Sequence, residues 1–126
     1  MFTHIDHVAI SVKDREKSIE FYEKNFGFKK YFEHDVPGIP EIEKVVYLKL
    51  GNTVLELEHW TNKKINSGSH FCLISDNFDD DYSKLVEAGV PIVAKPHIPS
   101  PRTPEEKGWK RVVFKGPDDE YIEFRG

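Results

Sequence analysis

The chain has 126 residues, 38% hydrophobic and 32% charged, with a formal net charge of −4. That is about one domain's worth of a foldable, water-compatible chain, which excludes intrinsic disorder. The acidic balance leaves no basic footprint for nucleic acid, no apolar run approaches the about 20 residues of a membrane helix, and Met1-Phe2-Thr3-His4 has no signal-peptide pattern. The single cysteine, Cys72, cannot form an intramolecular disulfide, so a reducing, cytoplasmic setting is expected, with no membrane and no nucleic-acid partner.

Ile5 to Val12 reads as a strand, with Val8, Ile10 and Val12 on one face and His7, Ala9 and Ser11 on the other. Asp14 is a fitting N-cap for an amphipathic helix over Arg15–Phe26, whose apolar side is Ile19, Tyr22 and Phe26. Gly27 is its stop signal. Phe28 to Glu33 is a second strand, and Pro and Gly make 35–40 a loop. Lys44 to Leu50 and Thr53 to His59 are strands joined by the Gly51-Asn52 turn. The polar stretch 61–68 has no periodicity and reads as a linker.

The order then repeats. Ser69 to Ser75 is a strand, and Asn77 with the Asp79–Asp81 run marks a helix start. Tyr82, Leu85 and Val86 give that helix an apolar side, and Gly89 ends it. Pro91 to Ala94 is a short strand. Lys95 to Gly108, with four prolines, is long for a plain connection and has the character of a binding loop or lid. Trp109–Lys115 and Glu120–Arg125 are the last two strands, joined by a turn at Gly116–Asp119. The strand-helix-strand-strand-strand order thus occurs twice, at a nearly fixed offset, with modules at about 1–62 and 67–126 forming one domain over 1–126.

Each sheet needs one face covered by its helix. Val8/Ile10/Val12, Leu55/Leu57, Phe71/Leu73, Val112/Phe114 and Ile122/Phe124 suit that face. The opposite face then carries His7, Glu56, His70 and Glu123, together with Glu58, Cys72, Arg111 and Tyr121. Polar groups on a half-buried sheet mark a solvated cavity or a site. Two imidazoles and two carboxylates converging there make a donor set suited to a borderline divalent ion: Zn, Ni, Co, Fe or Mn. Taken singly, each of the four residues is more readily a structural or surface group. It is the pairing at equivalent strand positions that favours a metal. His4, His34 and His97 have no echo in the other half and read as surface residues; Cys72 reads as a small buried side chain.

The run His7-Val8-Ala9-Ile10-Ser11-Val12-Lys13-Asp14, with Lys17–Tyr22 and Phe26-Gly27-Phe28, resembles the opening of the vicinal oxygen chelate superfamily. Leu55-Glu56-Leu57, Ser69-His70-Phe71 and Pro117-Asp118 through Ile122-Glu123-Phe124 resemble its later landmarks. Members include glyoxalase I, bleomycin-resistance proteins and extradiol dioxygenases. The resemblance implies an α+β fold of paired βαβββ modules forming a cupped mixed sheet, one divalent metal ion per site, a small-molecule substrate and a homodimer. The family's ligand positions fall on His7, Glu56, His70 and Glu123, from one chain or from two.

The implied activity is a metal-dependent lyase or isomerase of the glyoxalase I type, in which a substrate with vicinal oxygens forms an enediolate stabilised by the metal. Glu123 is the expected mobile base, with Glu56 the alternative by near symmetry. Two features depart from glyoxalase I. Ser11 stands where short glyoxalases carry an arginine for glutathione, and Asp118-Asp119 replaces the usual Asp-Gly turn. Arg102, Lys107 and Arg111 are candidate anion contacts for an acidic substrate. The alternatives are a metal-free protein that sequesters a drug or metabolite, and a metal-dependent thiol transferase of the fosfomycin-resistance type. The latter chemistry uses His/His/Glu, so the extra Glu56 argues against it.

Overall fold

A computed structural model describes residues 1, 3–62 and 69–126. Contacts divide the chain into two units, Met1–Asn66 and Ser67–Gly126. The expected linker at 61–68 lies, from 63 onward, outside the described residues. Each unit is one βαβββ module, as the repeated pattern implies.

In the first unit, β1 (Val8–Val12) leads into α1 (Arg15–Phe26), then β2 (Lys29–His34), β3 (Ile42–Leu50) and β4 (Thr53–Trp60). The sheet order is β1-β4-β3-β2, with β1 parallel to β4 and the other pairs antiparallel. β1 starts at Val8 rather than Ile5 because its register with β4 begins at Val8 opposite Leu55. The Asp14 carboxylate accepts the Lys17 N–H at 3.1 Å and caps α1, satisfying a donor the first turn leaves unpaired. Gly27 closes the helix at φ 77°, a left-handed conformation that a Cβ resists. α1 and the sheet together bury Ile10, Val12, Ile19, Tyr22, Phe28, Leu55 and Leu57. Each such side chain contributes about 1.5–3 kcal/mol. Val8, expected on that face, is exposed.

In the second unit, β5 (His70–Ile74), α2 (Phe78–Glu87), β6 (Ile92–His97), a one-turn 3-10 helix (Pro104–Glu106), β7 (Arg111–Lys115) and β8 (Tyr121–Arg125) repeat the plan. The order is β5-β8-β7-β6, again with only the first pair parallel. Asn77 makes no side-chain cap. Ser75 replaces it: its hydroxyl accepts the Asn77 N–H at 3.1 Å and donates to Asp81 at 2.6 Å. β6 runs on through Pro96, which the edge position of the strand tolerates. α2 lies on the face of Phe114 and Phe124: the Phe78 and Phe124 rings are 5.0 Å apart, and Tyr82 and Phe114 6.1 Å. By alternation, Arg111, Glu123 and Arg125 occupy the opposite face.

Asp119 takes φ 66° in the β7–β8 turn, where the glycine of an Asp-Gly turn would sit without strain. The adjoining Glu120 carboxylate is buried against Gly116, where a Cβ would meet it at 1.7 Å. A side chain at 116 would therefore require the Glu120 carboxylate to move out of its place.

Candidate functional site

The first unit brings two of the four candidate ligands together. His7 precedes β1, and Glu56 sits on β4 opposite Ala9 of β1 and Tyr47 of β3. Alternation puts Glu56 and Tyr47 on the face away from Leu55 and Leu57. His7 Nε2 is 3.0 Å from Glu56 Oε2. Its other nitrogen, Nδ1, is 2.9 Å from Asp6 Oδ2. The hydrogen bond to Asp6, opposed by partial burial and reinforced by the charges of Glu56, Asp6 and Glu58, raises the His7 pKa above its ordinary value of 6.5.

Tyr47 completes this group. Its ring meets the His7 imidazole edge to face at 5.9 Å, and its hydroxyl lies 3.2 Å from His34 Nε2. Burial, then the hydrogen bond to Glu56, pushes its phenol up to about 12. The Tyr47 hydroxyl therefore keeps its proton and donates a hydrogen bond to Glu56. His34, expected at the surface, stacks on Tyr47 at 5.6 Å. Glu58, raised by burial and by Glu56, accepts from Trp60 Nε1 at 3.1 Å. His59 faces the helix side instead and binds Arg15 Nη1 at 2.8 Å.

The second unit treats its two candidates differently. His70 opens β5, opposite Tyr121, and is exposed. Glu123, only 5% exposed, lies opposite Cys72 on one side and Val113 on the other. Arg111 reaches its carboxylate through Nε at 2.8 Å and Nη2 at 3.1 Å, and Arg125 through Nε at 2.8 Å. Burial acts to raise the Glu123 pKa, but the two guanidinium groups outweigh it and hold the carboxyl at about 2. Cys72 is exposed as a residue rather than buried as expected. Local desolvation of its sulfur, then the Glu123 charge, pushes the thiol up to about 11, so it is not a ready nucleophile.

The donor chemistry of these residues fits a divalent ion. In the first unit an imidazole nitrogen and a carboxylate oxygen stand side by side, and Asp6 holds the remote ring nitrogen, as outer carboxylates do for metal-bound histidines. In the second unit Glu123 is ionised, the form a metal requires, although two arginines share it. Within each unit the described residues bring no three His, Cys, Asp or Glu groups together as a ready cage.

Three participants escaped the sequence reading: Asp6, Tyr47 and Arg125. Each carried a signal. Asp6 adjoins His7, while Arg125 stands two residues beyond Glu123 and so shares its face. Tyr47 is the cross-strand partner of Glu56, which only the β3–β4 register reveals. Arg102, a candidate anion contact, is spent on Glu106: its backbone N–H donates at 2.9 Å and its guanidinium chelates the same carboxylate.

The model of the Glyoxalase/Bleomycin resistance protein/Dioxygenase superfamily matches residues 4–124. A metallothiol transferase FosB of Lysinibacillus sphaericus (strain C3-41) is 32% identical over 122 residues, covering 95% of this chain and 79% of the relative. Among solved structures, a glyoxalase family protein from Enterococcus faecalis superposes with a TM-score of 0.81 at 21% identity, over 99% of this chain and 98% of the other. TnmS3, an antibiotic binding protein from Streptomyces sp. CB03234, does so with a TM-score of 0.73 at 23% identity, over 98% and 94%. These two likenesses concern the fold. No helix among the described residues is long and apolar enough to cross a membrane. The chain belongs to the Glyoxalase/Bleomycin resistance protein/Dioxygenase superfamily.

Proposed function

We propose that this protein is a metal-dependent enzyme acting on a small oxygen-bearing substrate, and that thiol transfer is its reaction in preference to glyoxalase I-type isomerisation. His7, Glu56, His70 and Glu123 are the residues proposed to hold the ion, the two modules acting as one domain over 1–126, in a homodimer. The observation that carries the preference is the clamp on Glu123. A base that abstracts a C–H proton works best with a pKa near the operating pH. Three N–H donors from Arg111 and Arg125 occupy the Glu123 carboxylate and hold its pKa below the usual carboxylate range, which works against its taking a proton from substrate. The 32% identity to a metallothiol transferase supports the same choice.

A bound divalent ion would supply Lewis-acid polarisation of a substrate oxygen. The chain's own residues have simpler tasks. Asp6 orients the His7 ring, Tyr47 holds a proton on Glu56's side of the site, and the arginines keep Glu123 ionised. In thiol transfer to an epoxide, the incoming sulfur forms a bond to carbon, the C–O bond breaks, and the released oxygen takes up a proton as the thiol loses one. No carboxylate base at the metal is needed for that step. Glu56, beside His7 and Tyr47, remains the fourth proposed ligand, one more than the His/His/Glu set of that chemistry.

A second reading keeps the isomerase. Among the described residues no arginine clamps Glu56, and it adjoins His7, so it is the carboxylate that would act as base if the substrate is a hemithioacetal.

The test is one assay with two substrates. Purified protein loaded with Mn, Ni, Co or Zn is given fosfomycin with a low-molecular-weight thiol, or methylglyoxal with the same thiol. Metal-dependent loss of thiol with fosfomycin supports thiol transfer. Thioester formation from methylglyoxal supports the isomerase. Turnover of neither, with no metal bound, overturns the metal-enzyme reading in favour of sequestration.

A further inference from the structure

Asp6, His7, Glu56, Tyr47 and His34 form one continuous row of polar contacts in the first unit. Its far end bears on what its middle can do. β2 pairs with β3 so that Phe32 stands opposite Tyr47, and His34, two residues on, shares Phe32's face. Phe32 packs on both neighbours, 6.0 Å from the His34 ring and 6.1 Å from that of Tyr47. Both of those rings are half-buried.

The partners of His34 fix its hydrogen-bond roles. Its Nδ1 lies 2.8 Å from the backbone oxygen of Asp35. A carbonyl only accepts, so Nδ1 carries the proton, and in the neutral ring Nε2 presents a lone pair. That lone pair faces the Tyr47 hydroxyl at 3.2 Å. Glu56 is a second acceptor for the same hydroxyl. The phenol, pushed up to about 12, keeps its single proton at neutral pH, so one proton stands between two acceptors and serves one at a time. A carboxylate with its full charge takes the proton, because charge-assisted hydrogen bonds are the stronger. A cation on that carboxylate shares its charge and lone pairs, and the imidazole then becomes the better acceptor.

We infer that the Tyr47 hydroxyl is a two-position donor, turned to Glu56 when no ion is bound and to His34 when a divalent ion is held by Glu56, and that His34 thereby frees Glu56 to act as a ligand. The inference rests on the proposed reading of Glu56 as a metal ligand. His34 is a positioning residue, acting through Tyr47. Packing alone does not account for this role: a ring of similar shape without Nε2 leaves the hydroxyl turned to Glu56, in competition with the ion.

The experiment measures zinc affinity of the full chain by competition with a fluorescent chelator. The proteins are the parent, His34→Phe, Tyr47→Phe and the double variant. Phenylalanine keeps a flat ring at 34 and removes the acceptor. His34→Phe is expected to weaken zinc binding by about tenfold, the scale of an outer-sphere change. In the Tyr47→Phe background the same change is expected to cost less than about twofold, since no hydroxyl is left to redirect. Equal losses in the two backgrounds, or no loss in either, overturn the inference. Nitrogen-15 NMR of the His34 ring in the parent protein needs no variant and stands if one fails to fold. The Nδ1–H tautomer is expected, with an Nε2 resonance that shifts on zinc addition as it gains a hydrogen bond. An Nε2–H tautomer, or an Nε2 resonance that bound zinc leaves in place, overturns the inference. Absence of zinc binding to the parent protein removes the metal reading and this inference together, whereas zinc binding with a failed cycle removes the inference alone.

Discussion

His7 and Glu56 stand 3.0 Å apart, ring nitrogen to carboxylate oxygen, although 48 residues of chain separate them and nothing in either strand alone aims one at the other. The parallel β1–β4 register places Glu56 across from Ala9, within reach of the residue just ahead of β1. If this pair forms half of a metal site, Glu56→Ala and His7→Ala each weaken uptake of Mn or Zn by on the order of 100-fold or more, beyond the usual loss from an outer-sphere change. Metal competition with a fluorescent chelator measures it. Unchanged affinity in both variants would falsify the pair as ligands.

Asp6 acts one step further out. Asp6→Asn removes the contact that most raises the His7 pKa, so the imidazole titrates at a lower pH than in the parent protein. Metal affinity is expected to fall by about 10–100-fold. The His7 ring protons followed by NMR across pH report the first effect directly. A titration midpoint that stays put rules out the assigned hydrogen bond.

Glu106 predicts an acid limb of stability. Its pKa is about 2 in the folded chain against an ordinary 4.5, so folding favours the ionised form. The stabilisation is present above pH 4.5 and is lost as pH falls from 4.5 towards 2. Glu106→Gln should be less stable than the parent at neutral pH, and the difference should shrink across that window. Melting temperatures at a series of pH values test this; parallel curves for the two proteins would exclude Glu106 as the source.

The β7–β8 turn offers a stabilising change. Asp119 holds φ 66°, and its ion pair with Lys115 at 3.5 Å lies on the surface, where such pairs contribute little. Asp119→Gly should stabilise the fold by up to about 1 kcal/mol, the strain relieved less the entropy glycine loses. Urea unfolding would show the gain as a higher midpoint at unchanged slope. A lower midpoint would mean that the aspartate side chain stabilises the turn.

Phe114 is the reference point for the second module's core. It is fully buried, lies 6.0 Å from Phe124 with the rings nearly parallel, and meets Tyr82 of α2. Phe114→Ala should cost about 3–5 kcal/mol. A loss under about 1 kcal/mol in chemical denaturation would place the helix off this face.

The repeated βαβββ plan and both faces of each sheet were legible before any coordinates. They rest on local rules: alternation along strands, an Asp14 cap, a Gly27 stop and turns at Gly51 and Gly116. Each depends on residues a few positions apart, so the chain's order displays it. The choice of His7 and Glu56 as a pair also followed, since two positions on the inner faces of strands expected to lie in one sheet make a short list. What surrounds each candidate did not follow. Whether Glu123 faced open solvent or two guanidinium groups depended on the β7–β8 register, which pairs Arg111 with Arg125 and puts both on Glu123's face. Whether Arg102 was free depended on a buried Glu106 four residues on, in a turn with no periodic signature. A charge's meaning lies in its partners, and partners are chosen by register and burial, which only the folded sheet decides. That is why the two guanidinium groups on Glu123, a carboxylate read from the sequence as a mobile base, came to light only in three dimensions.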